Sequence, residues 1–570
     1  MIMYGAHFYF VIQKDLYFTH LNIKMKLRGV ITRALHDVEV IVRKSTAGVL
    51  HEIAELVFDP RAVPWLVLMC ERAMTDPEPQ LRAAAMTLTW HLAEHLPNAF
   101  LGDASKGSRS LSRLPARTDP TFAEVYLLQC KLLPVATRLA EDNSFSVRLA
   151  VAAQCDRLCS ALGDHWSNVI IDILQALLDD KDERVRSEAT LCLPRLVESV
   201  IIRSTPSSTS NGVLECLFPT ALKLLKDPST TVRVSLATSS GELLTLLVGL
   251  GSYEELSTFD KSEGSGFKQH KRHVDETLIP LVQRLLHDPD PEVTSAALRA
   301  VTNASRGNVK EISTRTQSNS SYNGEKSQMS ENIISSEGKK EPVFIPVLSE
   351  EQVLRLLPTL SDLATSPQWR VRQSAVEIVP ALLGCTQRLE MRSRIAQLCV
   401  QLMEDEVDAV RRTAAECLCL GGGSLGGYDG DRGEWVTAIV IPHIQACREN
   451  KSAKQRMLCL KMVEVMLKNG VCPNVNEKEE NTPIRVVLEI AASLFNDKVV
   501  NVRLNVGRVF RDVAHVLDDR NLTFTIELLS KQIDIERKRE KGGDRDVLFF
   551  AEKAILRCRH FLKNNKAALI

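Results

Sequence analysis

The chain has 570 residues, more than one hydrophobic core supports, so several domains or a repeat array are expected. Hydrophobic residues make up 44% of the sequence and charged residues 25%, which excludes the disordered class of proteins. Lys and Arg total 71, as do Asp and Glu, so the formal net charge is zero. Without a basic excess, nucleic acid is not an expected partner.

No apolar stretch approaches the roughly 20 residues that span a bilayer, so no membrane association is predicted. The 14 cysteines form no CxxC pair and no clustered framework. Scattered cysteines in apolar helical stretches are typical of reduced thiols in a core. The sequence therefore predicts a soluble cytoplasmic protein, with the nucleus as an alternative compartment.

Four segments follow one another along the chain. Residues 1–26 start with an apolar, aromatic stretch that lacks the basic segment of a signal peptide, and we expect them to be irregular. Residues 27–305 repeat one helical pattern. Residues 306–347 are rich in Ser, Asn and Lys and are predicted to be a disordered insertion. Residues 348–570 resume the helical pattern.

The repeated pattern is an apolar helix, Asp, a short turn, Val-Arg and a second helix rich in Ala and Leu. The arginines are 39 residues apart from Arg43 to Arg82 and 38 apart from Arg148 to Arg186. Weaker copies occur at Asp288–Thr294 and Ser366–Arg372. In the clear copies Asp precedes Arg by six residues, as in Asp37 and Arg43, Asp76 and Arg82, Asp142 and Arg148, Asp180 and Arg186, Asp227 and Arg233, Asp405 and Arg411, and Asp497 and Arg503.

This spacing lies near the lower edge of the roughly 40–47 residues of HEAT and armadillo repeats. The sequence therefore predicts an all-α fold, an α-solenoid (superhelix) of about eleven two-helix HEAT units. Each Arg falls in the first turn of a helix, where its charge meets the positive end of the helix dipole. A residue placed against its local preference needs a partner. We therefore expect each Arg to pair with an Asp of its own or the adjacent repeat, in a structural ladder.

Catalytic patterns are few. His91, Glu94 and His95 fit the H-x-x-E-H spacing of inverted zinc metallopeptidases. The same residues lie in the second helix of a repeat, whose Leu88, Leu92 and Leu96 form its core side, and no third ligand follows. The glycine-rich stretch Gly421–Gly427 has no Lys-Ser/Thr after it, so it predicts a flexible connection and not a phosphate-binding loop. The sequence predicts no enzyme, no metal and no cofactor.

The C-terminal block resembles a known family. Its motifs are LLPTLSDLATSPQWRVR from Leu356, VDAVRRTAAECL, GEWVTAIVIPHI at Gly433–Ile444, DKVVNVRLNVGRVF at Asp497–Phe510, and DVLFFAEKAI at Asp546–Ile555. Their order and spacing are similar to the last five or so repeats of the scaffold (A) subunit of protein phosphatase type 2A. The N-terminal half shares only the general repeat. The chain is also similar to the regulatory subunit of type 4 phosphatase, a HEAT relative with long polar insertions.

The resemblance implies a non-catalytic scaffold whose repeat turns form a ridge. In that family the C-terminal ridge binds the phosphatase catalytic subunit, and the N-terminal ridge binds an exchangeable regulatory subunit. The matching partner-binding positions in this sequence are Trp369, Arg370, Arg456, Val500, Asn501 and Asp546.

Some features depart from the family. Asp408 stands where the family often has an aromatic residue, and about eleven repeats are recognisable against the family's fifteen. Trp369 also has a structural alternative, in which it closes the core of its repeat. The alternative function is a HEAT adaptor or a nuclear-transport-type cargo receptor, and the balanced charge argues against it.

Overall fold

The computed structural model describes residues 21–57, 63–100, 131–162, 167–203, 209–257, 272–306, 348–386, 388–424, 433–471, 482–539 and 543–568. Within these ranges the regular structure is helical and contains no strand. The predicted all-α fold class is therefore confirmed. The described residues divide into two compact units, of which the first ends at residue 281 and the second begins at residue 282.

The first half of the chain contributes helices that alternate with the predicted turns. In chain order they are α1 (Leu21–Leu35), α2 (Val40–Val57), α3 (Val63–Met74), α4 (Pro79–Phe100), α5 (Leu133–Ala140), α6 (Phe145–Ala152), α7 (Cys155–Leu162), α8 (Ser167–Leu178), α9 (Glu183–Arg203), α10 (Thr209–Lys223), α11 (Thr230–Ser257) and α12 (Ile279–Leu286).

The second half continues in the same way. Its helices are α13 (Pro291–Arg306), α14 (Glu350–Leu363), α15 (Trp369–Glu377), α16 (Val379–Gly384), α17 (Leu389–Leu402), α18 (Asp408–Ser424), α19 (Ile441–Glu449), α20 (Ala453–Lys468), α21 (Pro483–Ser493), α22 (Val500–Val513), α23 (Asp519–Arg537) and α24 (Arg545–Ala568).

Each unit is a stack of helical pairs in two layers. In the first unit the second helices stack in the order α2, α4, α6 with α7, α9 and α11, while α3, α5, α8 and α10 form the other layer. In the second unit α13, α15 with α16, α18, α20, α22 and α24 form one stack. This layering is a solenoid, because each helical pair buries its apolar faces mainly against the neighbouring pairs.

Two segment boundaries differ from those predicted. Helix α1 begins at Leu21, inside the segment 1–26 that was expected to be irregular, because the preceding aromatic run obscured the start of the helical pattern. Helix α13 was assigned to the N-terminal block 27–305, yet it packs on α15 and α16 of the second unit. Residues 1–20 and 307–347 lie outside the described part of the chain.

Prolines shape several of the first helices. Pro280 and Pro442 each follow a five-residue π-helical turn, Val274–Leu278 and Val436–Val440 respectively. Proline has no N–H to donate to the preceding turn and its ring crowds the carbonyl there. A wider turn before the proline removes that clash, and the helix continues beyond it.

The glycine-rich stretch after Asp405 is more ordered than predicted. Helix α18 runs through Gly421 to Ser424, so the first part of Gly421–Gly427 is helix and not a flexible connection. A Cβ on Gly421 would lie 2.5 Å from Leu383 Cδ1 and 3.0 Å from the Trp435 ring. Trp435 is fully buried, and its Nε1 donates to the Leu418 carbonyl at 3.3 Å. Leu383 and the Trp435 indole thus leave little room for a side chain at position 421.

A second glycine brings two helices of the second unit together. Gly507 lies in the middle of α22, where a Cβ would be 3.0 Å from the backbone nitrogen of Ala551 and 3.0 Å from the Phe550 carbonyl carbon. Both atoms belong to the backbone of α24, which cannot yield as a flexible side chain would. The missing side chain therefore permits close packing of α22 against α24.

Gly507→Ala is expected to destabilise the protein by about 1–3 kcal/mol, because overpacking outweighs the helix propensity of alanine. Gly48→Ala is the matched control, since Gly48 lies inside α2 and its Cβ would meet nothing within 4 Å. The control should raise stability by about 1 kcal/mol. Urea unfolding of both variants measures the two changes. Equal shifts of the same sign would contradict the packing explanation.

Candidate functional site

The turns within the repeats are joined by arginine–carboxylate pairs. Arg148 Nε donates to Asp180 Oδ2 at 2.6 Å, and Nη2 donates to Oδ1 of the same carboxylate at 2.9 Å. The remaining nitrogen, Nη1, donates to the Asp142 carbonyl at 2.6 Å. Asp180 Oδ1 also accepts the Asp182 backbone N–H at 2.8 Å. One carboxylate thus closes its own turn and receives the guanidinium of the preceding repeat.

The same arrangement, which we call a rung, recurs in both units. Each rung is a two-point contact from an Arg to the carboxylate of the next repeat, with a further bond from the same Arg to a carbonyl of its own turn. The sequence left open whether Arg pairs within its repeat or with its neighbour, and the rungs combine both contacts. The other rungs are Arg43–Asp76, Arg82–Asp142, Arg186–Asp227, Arg372–Asp405, Arg456–Asp497 and Arg503–Glu536.

The rungs are largely withdrawn from water. In the Arg372–Asp405 rung the exposed fractions of the two side chains are 10% and 6%. The hydrogen bonds from Arg372 lower the pKa of the Asp405 carboxyl below its ordinary value, although burial opposes that shift. A charged pair in this setting needs both members, since loss of one leaves a desolvated charge without its partner.

The last rung uses a glutamate. Arg503 Nε donates to Glu536 Oε2 at 2.9 Å, and Glu536 Oε1 accepts the Asp544 backbone N–H at 3.0 Å. Gly543 has a φ of +80°, and a Cβ there would lie 2.2 Å from the Glu536 carbonyl oxygen. Glycine therefore lets the chain fold back over Glu536. No Asp-x5-Arg spacing marks this carboxylate in the sequence.

Two predicted ladder residues depart from the pattern. Asp37 lies in the first turn, where its carboxylate accepts the Glu39 N–H and its carbonyl accepts from Arg43. Arg233 keeps the contact of a ladder arginine to its own turn, since its Nη1 donates to the Asp227 carbonyl at 2.8 Å. Arg411 makes its carboxylate contact within its own turn, as the next paragraph describes.

Arg411 has no carboxylate ahead of it because Asn450 occupies the matching position of the next repeat. Its Nη1 keeps the bond to the Asp405 carbonyl at 2.7 Å, whereas Nη2 donates to Asp408 at 2.9 Å. Asn450 retains the turn contact, since its Oδ1 accepts the Ser452 N–H at 2.9 Å. The asparagine amide can therefore accept the turn N–H as aspartate does, but it supplies no negative charge to pair with an arginine.

Earlier in the second unit, both members of one arginine–carboxylate pair are replaced. Thr294 stands where most repeats have Arg, and its hydroxyl donates to the Asp288 carbonyl at 3.2 Å. Ser366 stands where the following repeat would have Asp, and its Oγ accepts the Gln368 N–H at 3.3 Å. Both members of one rung are absent together, so neither an unpaired guanidinium nor an unpaired carboxylate is buried there.

Each turn has one position three residues before its ladder arginine. In four turns this position holds a large apolar side chain that is exposed, namely Val40, Phe145, Trp369 and Val500. The exposed fraction is 37% for Trp369 and 41% for Val500. We call the surface formed by these turns the turn edge, and each unit has its own. Large apolar side chains that recur at an exposed position are typical of a protein-binding surface.

Trp369 and Arg370, two of the predicted partner-binding residues, lie together on the turn edge. The Arg370 guanidinium carbon is 4.9 Å from the centre of the Trp369 ring. Both side chains begin α15, where the chain emerges from the turn. Arg-on-Trp stacking presents a broad, planar and partly apolar surface with free N–H groups at its rim.

The sequence did not predict a related cluster in the first unit. The Arg184 guanidinium carbon lies 3.7 Å from the centre of the Phe145 ring, which belongs to the preceding turn. Asp182 accepts from Arg184 Nε at 3.0 Å and Nη2 at 2.8 Å and fixes its orientation. Phe145 could have been found from its place three residues before Arg148, which matches that of Trp369 before Arg372.

Arg456 was predicted to bind a partner, and the structure places its side chain in the ladder. Its side chain is only 8% exposed and forms the rung with Asp497, while Nη1 donates to the Asn450 carbonyl at 2.9 Å. The turn from Asn450 to Arg456 is a further copy of the repeat with Asn in place of Asp. A search for Asp six residues before Arg misses it.

The other predicted partner-binding residues are at the surface of the second unit. Val500 and Asn501 begin α22, and the Asn501 carbonyl accepts from Asn505 Nδ2 at 2.7 Å. Asp546 is exposed near the start of α24, and its N–H donates to Asp544 Oδ1 at 3.0 Å. These residues belong to turns that succeed one another along the second unit.

Other chemistry is sparse in the described residues. Groups of three or more His, Cys, Asp or Glu that could hold a metal are absent from them. His91 stacks on Trp90, with ring centres 3.7 Å apart, while the side chains of Glu94 and His95 lie outside the described part. Burial raises the pKa of the Cys70 thiol to about 12 and that of Cys385 to about 11, which disfavours the nucleophilic thiolate.

Comparisons with known proteins agree with this fold. Residues 170–200 match the HEAT repeat family, which is the repeat type that the sequence predicted. A chain in the structure of the Kap95:Nup1 complex is 12% identical, with a TM-score of 0.56 over 96% of this chain and 58% of that one. A structure on Kap95p binding to RanGDP gives 14% identity, a TM-score of 0.47, and coverage of 97% and 66%. An engineered protein gives 14% identity, a TM-score of 0.31, and coverage of 87% and 98%.

The similarity to the chain of the Kap95:Nup1 complex concerns the fold alone, since the sequence identity is 12%. The chain spans less than two thirds of the length of the two Kap95 chains it matches. Among curated proteins, none matches the sequence. Within the described residues, no helix is both long and apolar enough to cross a membrane.

Asp405→Asn is expected to destabilise the second unit by about 3–5 kcal/mol, because it leaves the buried Arg372 guanidinium without its carboxylate. Glu406→Gln is the control, since that carboxylate is 88% exposed and should contribute less than about 0.5 kcal/mol. Hydrogen exchange of α15 and α18 measures local stability. Equal protection in the two variants would show that the rung does not stabilise the stack.

The same rung predicts a pH dependence. The hydrogen bonds from Arg372 depress the folded-state pKa of Asp405, so the rung contributes fully above the unfolded value of about 3.9. Its contribution is lost as pH falls through the folded-state pKa. Urea unfolding at several pH values should show the difference between wild type and Asp405→Asn shrinking below about pH 4. A difference that stays constant to lower pH would contradict this assignment.

Proposed function

We propose that this chain is a non-catalytic scaffold subunit of a cytoplasmic serine/threonine protein phosphatase of the type 2A class. The turn edge of the second unit binds the catalytic subunit, and the turn edge of the first unit binds an exchangeable regulatory subunit. The observation that supports this most directly is the exposed Trp369–Arg370 stack at the start of α15.

The geometry suits a rigid binding surface. Rungs with two-point contacts fix consecutive turns, so a partner meets side chains that are already in place. Trp and Arg are the residues most enriched among those that dominate binding energy at protein interfaces. The Trp369–Arg370 stack has this composition, and the WRVR motif that contains it carries the resemblance to the phosphatase scaffold.

Val500 and Asn501 extend the surface toward the end of the second unit. Val500 is 41% exposed although it is apolar, and it follows the Arg456–Asp497 rung directly. Contacts at several successive turns would fix the orientation of the catalytic subunit as well as its affinity. Asp408 stands between these contact points and pairs with Arg411 and Arg412.

In the first unit the Phe145–Arg184 stack is the corresponding anchor for the regulatory subunit. Its guanidinium is held by Asp182, so little side-chain entropy would be lost on binding. The alternative function, a HEAT adaptor or nuclear-transport-type cargo receptor, would use the same kind of edge for a different partner. The similarity to Kap95 supports the fold common to both functions.

The double variant Trp369→Ala/Arg370→Ala is expected to weaken binding of purified type 2A catalytic subunit by at least about 30-fold, which corresponds to the loss of one anchor of about 2 kcal/mol. Isothermal titration calorimetry on the full chain measures the affinity. If the wild-type chain does not bind this subunit, the phosphatase function is rejected and the adaptor function becomes the better proposal.

Arg485→Ala/Phe524→Ala provides a matched control. These residues also form a cation–aromatic pair, 5.2 Å apart, but they lie on α21 and α23, the first helices of their repeats. The control should bind the catalytic subunit as the wild-type chain does. A similar loss in both variants would mean that unfolding, and not the turn edge, accounts for the effect.

A further inference from the structure

The last two complete turns of the second unit, residues 450–456 and 497–503, differ in charge from the turn before them. Turn 405–411 carries the exposed acids Glu406 and Asp408 besides its ladder residues. Turn 450–456 carries Lys451 and Lys454, and turn 497–503 carries Lys498. Apart from Asp497, which is held in its rung, these two turns contain no acidic residue.

The three lysines are exposed and make no ion pair within the described residues. Lys451 and Lys498 lie two residues before the starts of α20 and α22, and Lys454 lies in the first turn of α20. The N-terminal ends of helices carry partial positive charge, so cations are disfavoured there. Two helix ends and three ammonium groups therefore reinforce one positive surface. The neighbouring carboxylates Asp497 and Glu449 are paired with Arg456 and Arg448.

Asn450 leaves this surface with one negative charge fewer than most other turns have. Most repeats have aspartate at this position, and Asn450 keeps the turn contact to the Ser452 N–H without the negative charge. The Arg456–Asp497 rung joins the two turns directly, so the lysines are held on adjacent repeats. Val500, 41% exposed, provides an apolar contact beside them.

We propose that these two turns form a docking surface for an acidic, extended segment of a partner protein. Neighbouring helices pack about 8–10 Å apart, and an extended chain advances about 3.3 Å per residue. The distance from one turn to the next therefore equals about three residues of an extended segment. A segment with a carboxylate at about every third residue can place one carboxylate at each turn. Its apolar residues contact Val500, and its carboxylates pair with Lys451, Lys454 and Lys498.

This inference rests on the proposed function for the identity of the partner. It deepens that function by giving the chemistry of the segment that the turn edge binds. The surface itself is tested without the phosphatase. The probe is a fluorescein-labelled 15-residue peptide with glutamate at every third position and alanine or serine elsewhere. A peptide with glutamine at the same positions is its neutral counterpart.

Fluorescence anisotropy with the full-length protein at low salt measures both peptides. The glutamate peptide should bind at least about tenfold more tightly than the glutamine peptide, and the difference should shrink as salt screens the charges. The variant Lys451→Glu/Lys454→Glu/Lys498→Glu should lose binding of the glutamate peptide by at least about tenfold.

Arg394→Glu/Arg520→Glu/Lys531→Glu is the control with the same change in net charge. Its three cations lie on the first helices α17 and α23 and are exposed. It should bind the glutamate peptide within about twofold of its original affinity. Equal binding by the turn variant and the wild-type chain, or equal loss in both triple variants, would overturn the proposal.

The catalytic subunit forms a separate arm of the experiment. If the peptide results hold and the catalytic subunit does not bind the wild-type chain, the acidic docking surface stands and the phosphatase function fails. If the catalytic subunit binds the wild-type chain and the turn variant equally, the assignment of this surface to the catalytic subunit is overturned while the phosphatase function stands.

Discussion

The two-point hydrogen bond between a guanidinium and the carboxylate of the next repeat is the interaction on which the rest of the structure depends. Helical pairs that bury apolar faces against each other could slide or rotate, since hydrophobic contact has no direction. A planar arginine that meets two carboxylate oxygens and a backbone carbonyl has a fixed direction. In the Arg148–Asp180 rung all three bonds are present, and they set the position of one turn relative to the next.

The alignment of the turns has a functional consequence. Because each rung fixes the start of a second helix, the residue three positions before the arginine can reach the surface without taking part in the rung. In four turns this residue is a large, exposed apolar side chain, Val40, Phe145, Trp369 or Val500. The ladder thus separates the residues that hold the fold from those that face a partner. Arg456 shows the distinction, since it lies in a turn and yet belongs to the ladder.

Much of the fold could be predicted from the sequence because its main constraint is periodic. The Asp-x5-Arg spacing recurs in many repeats. It identifies Asp142 and Arg148 as partners in one turn, and in the structure Arg148 donates to the Asp142 carbonyl. The spacing did not determine which arginine pairs with each carboxylate. The Asp142 carboxylate accepts from Arg82 of the preceding repeat, whereas Arg148 of its own turn binds the Asp142 carbonyl. Residues outside the periodic pattern were not predicted, because no spacing identifies them. Glu536 is followed by no ladder arginine, and Gly543 allows the chain to return to it only through a positive φ.

The exposed residues were predicted less well, because exposure depends on neighbours that the sequence does not show. Arg184 covers Phe145 from the following repeat, and no local pattern connects the two residues.

The central claim, that rungs hold the turns in register, is tested most directly by a double-mutant cycle on Arg456→Gln and Asp497→Asn. Hydrogen exchange of α20 and α22 should show a coupling of at least about 1.5 kcal/mol, with the double variant much less impaired than the sum of the singles. Additive losses, with no coupling between the two residues, would contradict the account.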